Sequence, residues 1–466
     1  MKKYDCIIIG AGPAGIFCAL ELVRQKKGMN ILILDKGQDL KDRKCPSREQ
    51  NAPCFGCASC AVISGWGGAG AFSDGKLAYS TEVGGMLGSY LDQKEFEEGI
   101  KYIHELYLEF GAPRKIYGLE NLDQIEILQK KAALAGMRLV PAPVRHLGTG
   151  RTKEILQKMQ DYLLQQGVSV ETKTAVERIE VKDGAVVGVT TVDGEQLAAK
   201  YVVCAPGRNG AEWLVKEAER LGLEMAINPV DIGLRIELSA AVMEQITDLT
   251  YEGKFLFTSP TFEDRVRTFC MNPYGEVVME NNDGLVTVNG HTHADYKTEN
   301  TNFALLVSKT FTEPFKQPIT YGKYIASLAN MLGGGVIVQR LGDLMKGRRS
   351  TAERIEKGMV VPTLKEATPG DLSLVLPYRH FLAIIEMLKA MDQVAPGIYS
   401  PHTLLYGVEV KFYSSRLKVS RKLETQLKNL FVAGDGAGIT RGLTQASLSG
   451  AIIGREIATR SQGQVE

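Results

Sequence analysis

Residues 4 to 15 read Tyr-Asp-Cys-Ile-Ile-Ile-Gly-Ala-Gly-Pro-Ala-Gly, and this stretch decides the fold. An apolar strand runs directly into the spacing Gly-x-Gly-x-x-Gly, and residues 16 to 24 continue with the pattern of a helix. Gly10 permits the tight turn, Gly12 lets the backbone approach a pyrophosphate, and Gly15 lets the helix pack closely on the sheet. The N-terminus of that helix favours negative charge. The stretch therefore predicts a dinucleotide-binding turn.

An acidic residue ends the next predicted strand. The predicted strand 30 to 34 is apolar from Ile31 onward, and Asp35 follows at a distance of 20 residues from Gly15. An acid at this spacing is expected to bind the ribose hydroxyls. The order of strand, glycine turn, helix, strand and acid is more specific than the glycines alone. It predicts an α/β protein with a Rossmann-like domain.

A second motif lies far along the chain. Residues 430 to 437 read Leu-Phe-Val-Ala-Gly-Asp-Gly-Ala, and residues 446 to 457 follow with a helix-forming pattern. This resembles the second FAD motif of the glutathione-reductase-like flavoproteins, in which the aspartate binds the ribityl chain and the helix N-terminus faces the flavin pyrimidine. The resemblance gives these roles to Asp435 and Gly442, and it favours FAD over NAD.

The segment 201 to 207, Tyr-Val-Val-Cys-Ala-Pro-Gly, resembles the strand end that passes near the pyrophosphate in the same superfamily. Before it, residues 168 to 171, 175 to 182 and 186 to 191 predict a small antiparallel meander. By resemblance, the backbone near Val176 contacts the adenine.

Four cysteines form a loop cluster with the spacing C-x8-C-x2-C-x2-C. They are Cys45, Cys54, Cys57 and Cys60. Thiolates are the ligands that iron–sulfur clusters need, and we expect a [4Fe-4S] cluster here. A structural zinc site and redox-active or inert thiols are the alternatives, although zinc sites of this type usually pair two C-x2-C knuckles.

Residues 64 to 77, Ser-Gly-Trp-Gly-Gly-Ala-Gly-Ala-Phe-Ser-Asp-Gly-Lys-Leu, together with the cysteines and both FAD motifs, resemble a widespread family of uncharacterised FAD-dependent dehydrogenases. That family is a distant relative of the geranylgeranyl reductases. The resemblance covers nearly the whole chain and implies a redox flavoenzyme without naming its substrate. The run 411 to 416, Lys-Phe-Tyr-Ser-Ser-Arg, departs from the family's usual Arg-Thr-Ser-Ser-Pro.

Three polar residues are the catalytic candidates. Lys76 follows the glycines of 65 to 70 and could stabilise negative charge on a reduced flavin, whereas the alternative is a solvated lysine after a turn. Arg235 and His291 are acid–base or anion-binding candidates in the middle of the chain. Single residues of these types are more often structural.

The expected cofactor-binding residues come from all of these motifs. They are Gly10, Gly12, Ala14, Gly15, Asp35, Lys36, Gly68, Lys76, Val176, Gly207, Gly434, Asp435, Gly442 and Leu443.

The order of the motifs predicts a discontinuous domain. Residues 1 to 80, 140 to 212 and 405 to 466 should form the FAD-binding domain, with a helical insertion at 81 to 139. Residues 213 to 404 should form a second, mixed α+β substrate domain. There we expect a strand at 230 to 236 and helices at 301 to 313 and 379 to 391.

Composition limits the partners. The chain has 55 Lys plus Arg against 54 Asp plus Glu, so no net charge recruits nucleic acid. No signal peptide or membrane span is predicted, so we expect a cytoplasmic enzyme acting on a small organic substrate, with ferredoxin or another donor supplying electrons. A flavin-dependent tRNA-modifying enzyme and a non-catalytic flavin electron carrier are the rival hypotheses.

Overall fold

The computed structural model describes residues 2–26, 28–50, 57, 59–73, 75–226, 228–282, 284–293, 296–311, 314–315, 317–412 and 416–462. The chain divides into two compact units. The first unit comprises Met1–Lys115, Arg145–Asn228 and Tyr413–Glu466, and the second comprises Ile116–Val144 and Pro229–Phe412. The predicted α/β class, with a discontinuous Rossmann-like unit and a second mixed unit, is confirmed.

The strands, in chain order, are β1 (Lys2–Ile9), β2 (Ile31–Asp35), β3 (Lys76–Ala78), β4 (Met137–Val140), β5 (Val144–His146), β6 (Ser169–Thr172), β7 (Val176–Lys182), β8 (Ala185–Thr191), β9 (Gln196–Cys204), β10 (Met225–Ala226), β11 (Val230–Ser239), β12 (Lys254–Thr258), β13 (Arg265–Asn272), β14 (Glu276–Asn282), β15 (Leu285–His291), β16 (Asn300–Lys309), β17 (Ile337–Arg340), β18 (Thr368–Pro369), β19 (Leu404–Lys411), β20 (Arg416–Leu417) and β21 (Leu430–Val432).

The α-helices are α1 (Pro13–Gln25), α2 (Pro46–Glu49), α3 (Gln93–Glu109), α4 (Leu122–Leu134), α5 (Thr149–Gln165), α6 (Ala211–Arg220), α7 (Ala240–Thr250), α8 (Pro318–Gly333), α9 (Leu341–Leu344), α10 (Ala352–Glu356), α11 (Tyr378–Val394) and α12 (Leu443–Gln462). Short 3-10 helices include Gly68–Phe72 and Asp435–Ala437.

The main sheet of the first unit has the order β6-β2-β1-β9-β8-β7, and β21 also pairs with β9. The pairs β6–β2, β2–β1, β1–β9 and β9–β21 are parallel. Strands buried on both faces read as continuous apolar runs, as residues 6–9 of β1 and residues 31–34 of β2 do. The carboxyl ends of β1 and β21 therefore lie at the same edge of the sheet.

The antiparallel meander differs from its prediction in one strand. β7 pairs with β8 and β8 with β9, whereas β6 pairs in parallel with β2. The meander therefore consists of β7, β8 and β9, and β6 extends the parallel part of the sheet.

The second unit is built on a sheet of order β18-β17-β19-β11-β16-β13-β12-β4. The predicted strand at 230 to 236 is confirmed within β11, and the helix at 379 to 391 within α11. The helix predicted at 301 to 313 is wrong, because residues 300–309 form β16. Since β16 lies between β11 and β13 and is buried on both faces, its apolar run has no helical or alternating period to identify it.

The region expected as a helical insertion is shared by the two units. α3 belongs to the first unit, whereas α4 and β4 belong to the second, where β4 pairs with β12. Among the described residues, no helix has the length and apolar character needed to cross a membrane.

Candidate functional site

The glycine turn after β1 is formed by backbone packing that leaves no room for side chains. Gly10 has φ +106°, and a Cβ there would lie 2.1 Å from the carbonyl oxygen of Ala205. A Cβ at Gly15 would lie 2.0 Å from the carbonyl oxygen of Gly10. Gly12 differs, because the nearest atom to a Cβ there is Gly68 Cα at 3.9 Å. The space beside Gly12 is therefore open to a ligand.

The glycine-rich segment 65 to 70 lies against this turn. Gly67 N–H donates to the carbonyl of Ala11 at 2.8 Å, and a Cβ at Gly68 would lie 3.1 Å from Gly12 Cα. Gly70 faces Leu443 at the start of α12, since a Cβ at Gly70 would lie 2.9 Å from Leu443 Cδ2. Two distant parts of the chain thus line the space in front of α1.

Asp35 is fixed by two backbone donors. Its Oδ2 accepts from Ala11 N–H at 2.8 Å and its Oδ1 accepts from Gly37 N–H at 2.8 Å. These bonds tie the carboxylate to the glycine turn and leave lone pairs on both oxygens. Next to it, Lys36 Nζ donates to the carbonyl of Asn209 at 3.4 Å.

The carboxylate of Asp435, in the second motif, is also held by hydrogen bonds from its own segment. Its Oδ1 accepts from Thr440 Oγ1 at 2.7 Å and from Gly442 N–H at 3.3 Å. Arg208 Nε lies 4.0 Å from Asp435 Oδ2. Gly207 lies close by, because a Cβ at Gly436 would be 2.4 Å from the Gly207 carbonyl oxygen.

Close packing of α1 and α12 sets the relation between the two motifs. A Cβ at Gly450 would lie 1.9 Å from the carbonyl oxygen of Ala14, and one at Gly454 would lie 2.7 Å from that of Cys18. A Cβ at Gly434 would lie 3.2 Å from Ala14 Cβ. Neither helix has an acidic residue in its first turn. Unpaired N–H groups at such N-termini favour an anion, so the arrangement fits a dinucleotide pyrophosphate.

Arg43 is a site residue that the sequence did not reveal, since it stands in the charged run 41 to 44. Its side chain is 3% exposed and donates to the carbonyl oxygens of Ala61, Val62, Trp66 and Gly68 at 2.6 to 2.8 Å. Burial lowers its pKa to about 10. Arg43 therefore ties the end of the cysteine loop to the glycine-rich segment.

The cysteine cluster is described only in part, because Cys54 lies outside the described residues. Cys45 and Cys60 are half-buried and Cys57 is exposed, and all three are free thiols. The described ranges contain no group of three or more histidine, cysteine or acidic side chains placed to hold a metal ion.

The three catalytic candidates lie in different units. Lys76 begins β3 in the first unit and is half-buried. His291 ends β15 in the second unit, where its ring meets that of His293 at 4.7 Å between centroids. His293 in turn contacts Glu276 at 2.7 Å.

Arg235 is fully buried in β11 of the second unit. Its guanidinium bonds both carboxylate oxygens of Glu409, at 2.7 and 2.9 Å, and also donates to Asn302 Oδ1 at 2.8 Å. A Cβ at Gly290 would lie 2.3 Å from its Nη1. These contacts neutralise and enclose the guanidinium, which favours a structural role.

Of the remaining predicted residues, Val176 is buried at the start of β7, where it pairs with Thr191. Nothing in the described residues contacts a Cβ built at Gly442 within 4 Å. Asp74 lies outside the described residues. Residues 413–415, which belong to the run that departs from the family pattern, also lie outside them.

Two family models match parts of the chain. The model described as FAD-dependent protein, C-terminal domain-like, matches residues 229–412, and that of the pyridine nucleotide-disulphide oxidoreductases matches residues 132–237. An uncharacterised protein of Clostridium beijerinckii is 26% identical over 483 aligned positions, which cover 97% of this chain and 80% of that protein. A protein of Methanosarcina barkeri is 56% identical over 36 residues, 8% of this chain and 9% of its own length.

Solved structures with a similar fold include two dehydrogenases. The 3-ketosteroid dehydrogenase of Rhodococcus jostii has a TM-score of 0.45 at 13% identity, covering 98% of this chain and 97% of its own. The L-proline dehydrogenase of P. horikoshii has a TM-score of 0.42 at 11% identity, covering 100% and 95%.

Proposed function

Because the chain is an FAD-dependent oxidoreductase, we propose that its first unit holds FAD at the N-termini of α1 and α12, against the segment 65 to 70. The observation that carries this proposal is the space beside Gly12. Backbone closes tightly around Gly10 and Gly15, yet the nearest atom to a Cβ at Gly12 is 3.9 Å away. The open side of the turn is the side that a pyrophosphate would occupy.

Different residues around this space would bind different parts of the FAD molecule. Asp35, held by two N–H groups, would accept hydrogen bonds from the ribose hydroxyls, and Asp435 would accept them from the ribityl chain. Ala14, Gly207 and Gly434 would allow close backbone approach, and the backbone of Val176 would meet the adenine. Lys36 and Leu443 would border the two ends of the cofactor.

The bound flavin supplies hydride transfer to or from an organic substrate. Lys76 would place a cation near the flavin and so favour the reduced, negatively charged form. His291 remains our candidate for proton transfer to the substrate, while Arg235 and Glu409 hold the strand pair on which the second unit is built. Kinship with the geranylgeranyl reductases stays a prediction.

We propose further that Cys45, Cys54, Cys57 and Cys60 bind an iron–sulfur cluster that receives electrons from a ferredoxin-like donor. The three described cysteines are free thiols, the ligand type that such clusters require. Arg43 connects this loop to the glycine-rich segment through the carbonyls of residues 61 to 68, so the two sites share one support.

The substitution Gly12→Ala tests the FAD site. Gly12 has φ −80°, which alanine adopts freely, and the added methyl would make only an ordinary contact with Gly68. Without flavin, the variant should therefore have the same circular dichroism spectrum and melting temperature as the flavin-free wild-type protein. Its FAD content should fall about tenfold or more, because the methyl occupies the space that the pyrophosphate needs.

Gly150→Ala is the matched control, since Gly150 lies near the start of α5 and a Cβ there has no neighbour within 4 Å. The control should keep its FAD. Full FAD occupancy in Gly12→Ala, measured by absorbance after gel filtration, would show that the cofactor binds elsewhere.

A further inference from the structure

A cavity of about 740 Å³ opens within the second unit, at the ends of β11, β13 and β16 and at the start of α11. The parts of its lining that matter here are three cations, two aromatic rings and one histidine. They are Arg265, Lys309, Arg379, Phe311, Tyr321 and His380. All of them belong to the second unit, so the cavity is formed by one compact body.

The lining carries one excess positive charge. Arg379 donates two hydrogen bonds to Asp264, at 2.6 and 2.8 Å, and Lys309 contacts the same carboxylate. Glu263 supplies the second negative charge. Arg265 is exposed and has no ion-pair partner among the described residues. It is therefore the cation that a monovalent anion would neutralise.

The start of α11 adds to this positive field. The helix has 17 residues, begins at Tyr378 after Pro377, and has neither a capping side chain nor an acidic residue in its first turn. Pro377, Arg379 and His380 all line the cavity. The unpaired N–H groups of a first turn and the helix dipole both favour a negatively charged group.

His380 lies beside that turn and lacks a polar partner. Its side chain is 3% exposed, and neither ring nitrogen makes a hydrogen bond within the described part of the chain. Burial lowers its pKa to about 4, so the ring is neutral near pH 7 and offers one donor and one acceptor. Buried polar groups are normally hydrogen-bonded, so a ligand group is the expected partner.

Aromatic rings complete the cavity. Phe311 and Tyr321 pack edge to face, with 5.1 Å between centroids, and the ring of Tyr321 lies 6.4 Å from that of His380. Rings of this kind bind flat apolar bodies. The cavity therefore combines an aromatic wall, a single excess cation and a neutral hydrogen-bonding group.

We propose that this cavity binds a small aromatic carboxylate that also carries a hydroxyl group. The carboxylate is held by Arg265 and the first turn of α11, and the ring packs on Phe311 and Tyr321. The hydroxyl makes one hydrogen bond with the neutral ring of His380, as donor to its unprotonated nitrogen or as acceptor from its N–H. The inference is independent of the proposed FAD site, because it uses no residue assigned to that cofactor.

The probe is a hydroxynaphthoate, titrated calorimetrically into the FAD-loaded protein. We expect saturable binding at one site. Arg265→Gln should weaken it about tenfold, the loss that accompanies one charge-assisted hydrogen bond. Arg349→Gln, another exposed arginine of the second unit outside the lining, should leave it unchanged.

Naphthoate without the hydroxyl tests the role of His380. It should bind the wild-type protein more weakly than the hydroxynaphthoate, and His380→Leu should abolish this difference. Absence of saturable binding, or equal affinities in the wild type and Arg265→Gln, would overturn the proposal. The Arg265→Gln comparison decides the question even if His380→Leu does not fold, and FAD content measured in every sample separates this result from any failure of the cofactor site.

Discussion

Gly450 in α12 lies directly against the backbone of Ala14 in α1, so closely that a Cβ at position 450 would be 1.9 Å from the Ala14 carbonyl oxygen. This contact brings the N-termini of both helices to the same space. If FAD binds in this space, as we propose, its affinity should depend on a residue that need not touch the cofactor.

Gly450→Ala should separate the two helices. Because the obstructing atom is backbone and cannot rotate away, we expect the free energy of unfolding of the first unit to fall by about 1–3 kcal/mol. Gly150→Ala, which meets no neighbouring atom, should cause no loss. Thermal unfolding followed by flavin fluorescence gives the melting temperature of each variant. A melting temperature of Gly450→Ala equal to that of Gly150→Ala would contradict the predicted clash.

Asp435→Asn should weaken FAD binding without unfolding the protein. The change removes the negative charge and replaces one of the two acceptor oxygens by an NH2 group, so the single remaining oxygen must serve Thr440 Oγ1, Gly442 N–H and the ribityl chain. We expect the dissociation constant for FAD to rise about tenfold, as for loss of one charge-assisted hydrogen bond. Asp193→Asn, in an exposed turn, is the control. An unchanged dissociation constant for Asp435→Asn would remove this aspartate from the site.

Arg43→Gln should destabilise the first unit by about 2–4 kcal/mol, because several buried carbonyls lose a charged donor. Arg43→Lys should recover only part of this loss, since an ammonium cannot reproduce the planar fork of a guanidinium. The neighbouring exposed Lys44 provides the control Lys44→Gln. The measurement is urea unfolding at several wavelengths; a wild-type midpoint for Arg43→Gln would mean that the carbonyls find other donors.

Stability should fall in acid because of His104. Its Nε2 contacts the Ala78 carbonyl at 3.1 Å, Arg145 Nε donates to its Nδ1 at 3.2 Å, and burial lowers its pKa from 6.5 to about 4. Below pH 6.5 the unfolded chain binds a proton that the folded chain does not, so stability is lost as the pH falls from 6.5 to about 4.

The full loss from this one histidine is about 3 kcal/mol. Burial lowers the pKa of His380 to about 4 as well, so the wild-type curve contains both contributions. His104→Gln should remove about half of the acid-dependent loss. Unfolding measured across this pH range tests the prediction, and a variant curve parallel to that of the wild type would contradict it.

Cys57→Ala should remove iron while leaving FAD in place, because Cys57 is exposed and belongs to neither FAD motif. Protein purified without oxygen should hold about four iron and four sulfide per FAD. Flavin bands with no iron would refute the cluster, and zinc at one per chain would favour the structural alternative.

Local patterns predicted the parts of the site that lie next to one another in sequence. β1, the glycine turn and Asp35 form one continuous stretch, and β21 leads into Asp435 in the same way. The opposition of Gly12 and Gly68 is a tertiary contact, so no periodicity could reveal it.

Two features escape sequence reasoning for a common physical reason. The apolar run inside β16 resembles a helix because a strand buried on both faces loses its alternation. The ion pair of Arg235 is hidden because its partner Glu409 lies 174 residues away. In both cases the deciding environment comes from distant parts of the chain.

The discontinuity of the first unit has a consequence for its biosynthesis. The ribosome makes β21 and α12 after the other described strands and helices of the first unit, and β21 pairs with β9, a strand made more than two hundred residues earlier. Until they emerge, the nascent chain has the glycine turn but not the second helix N-terminus that faces it. At the proposed site, capture of the flavin should therefore wait until α12 has been made, and a chain that stalls or is clipped before α12 should remain colourless.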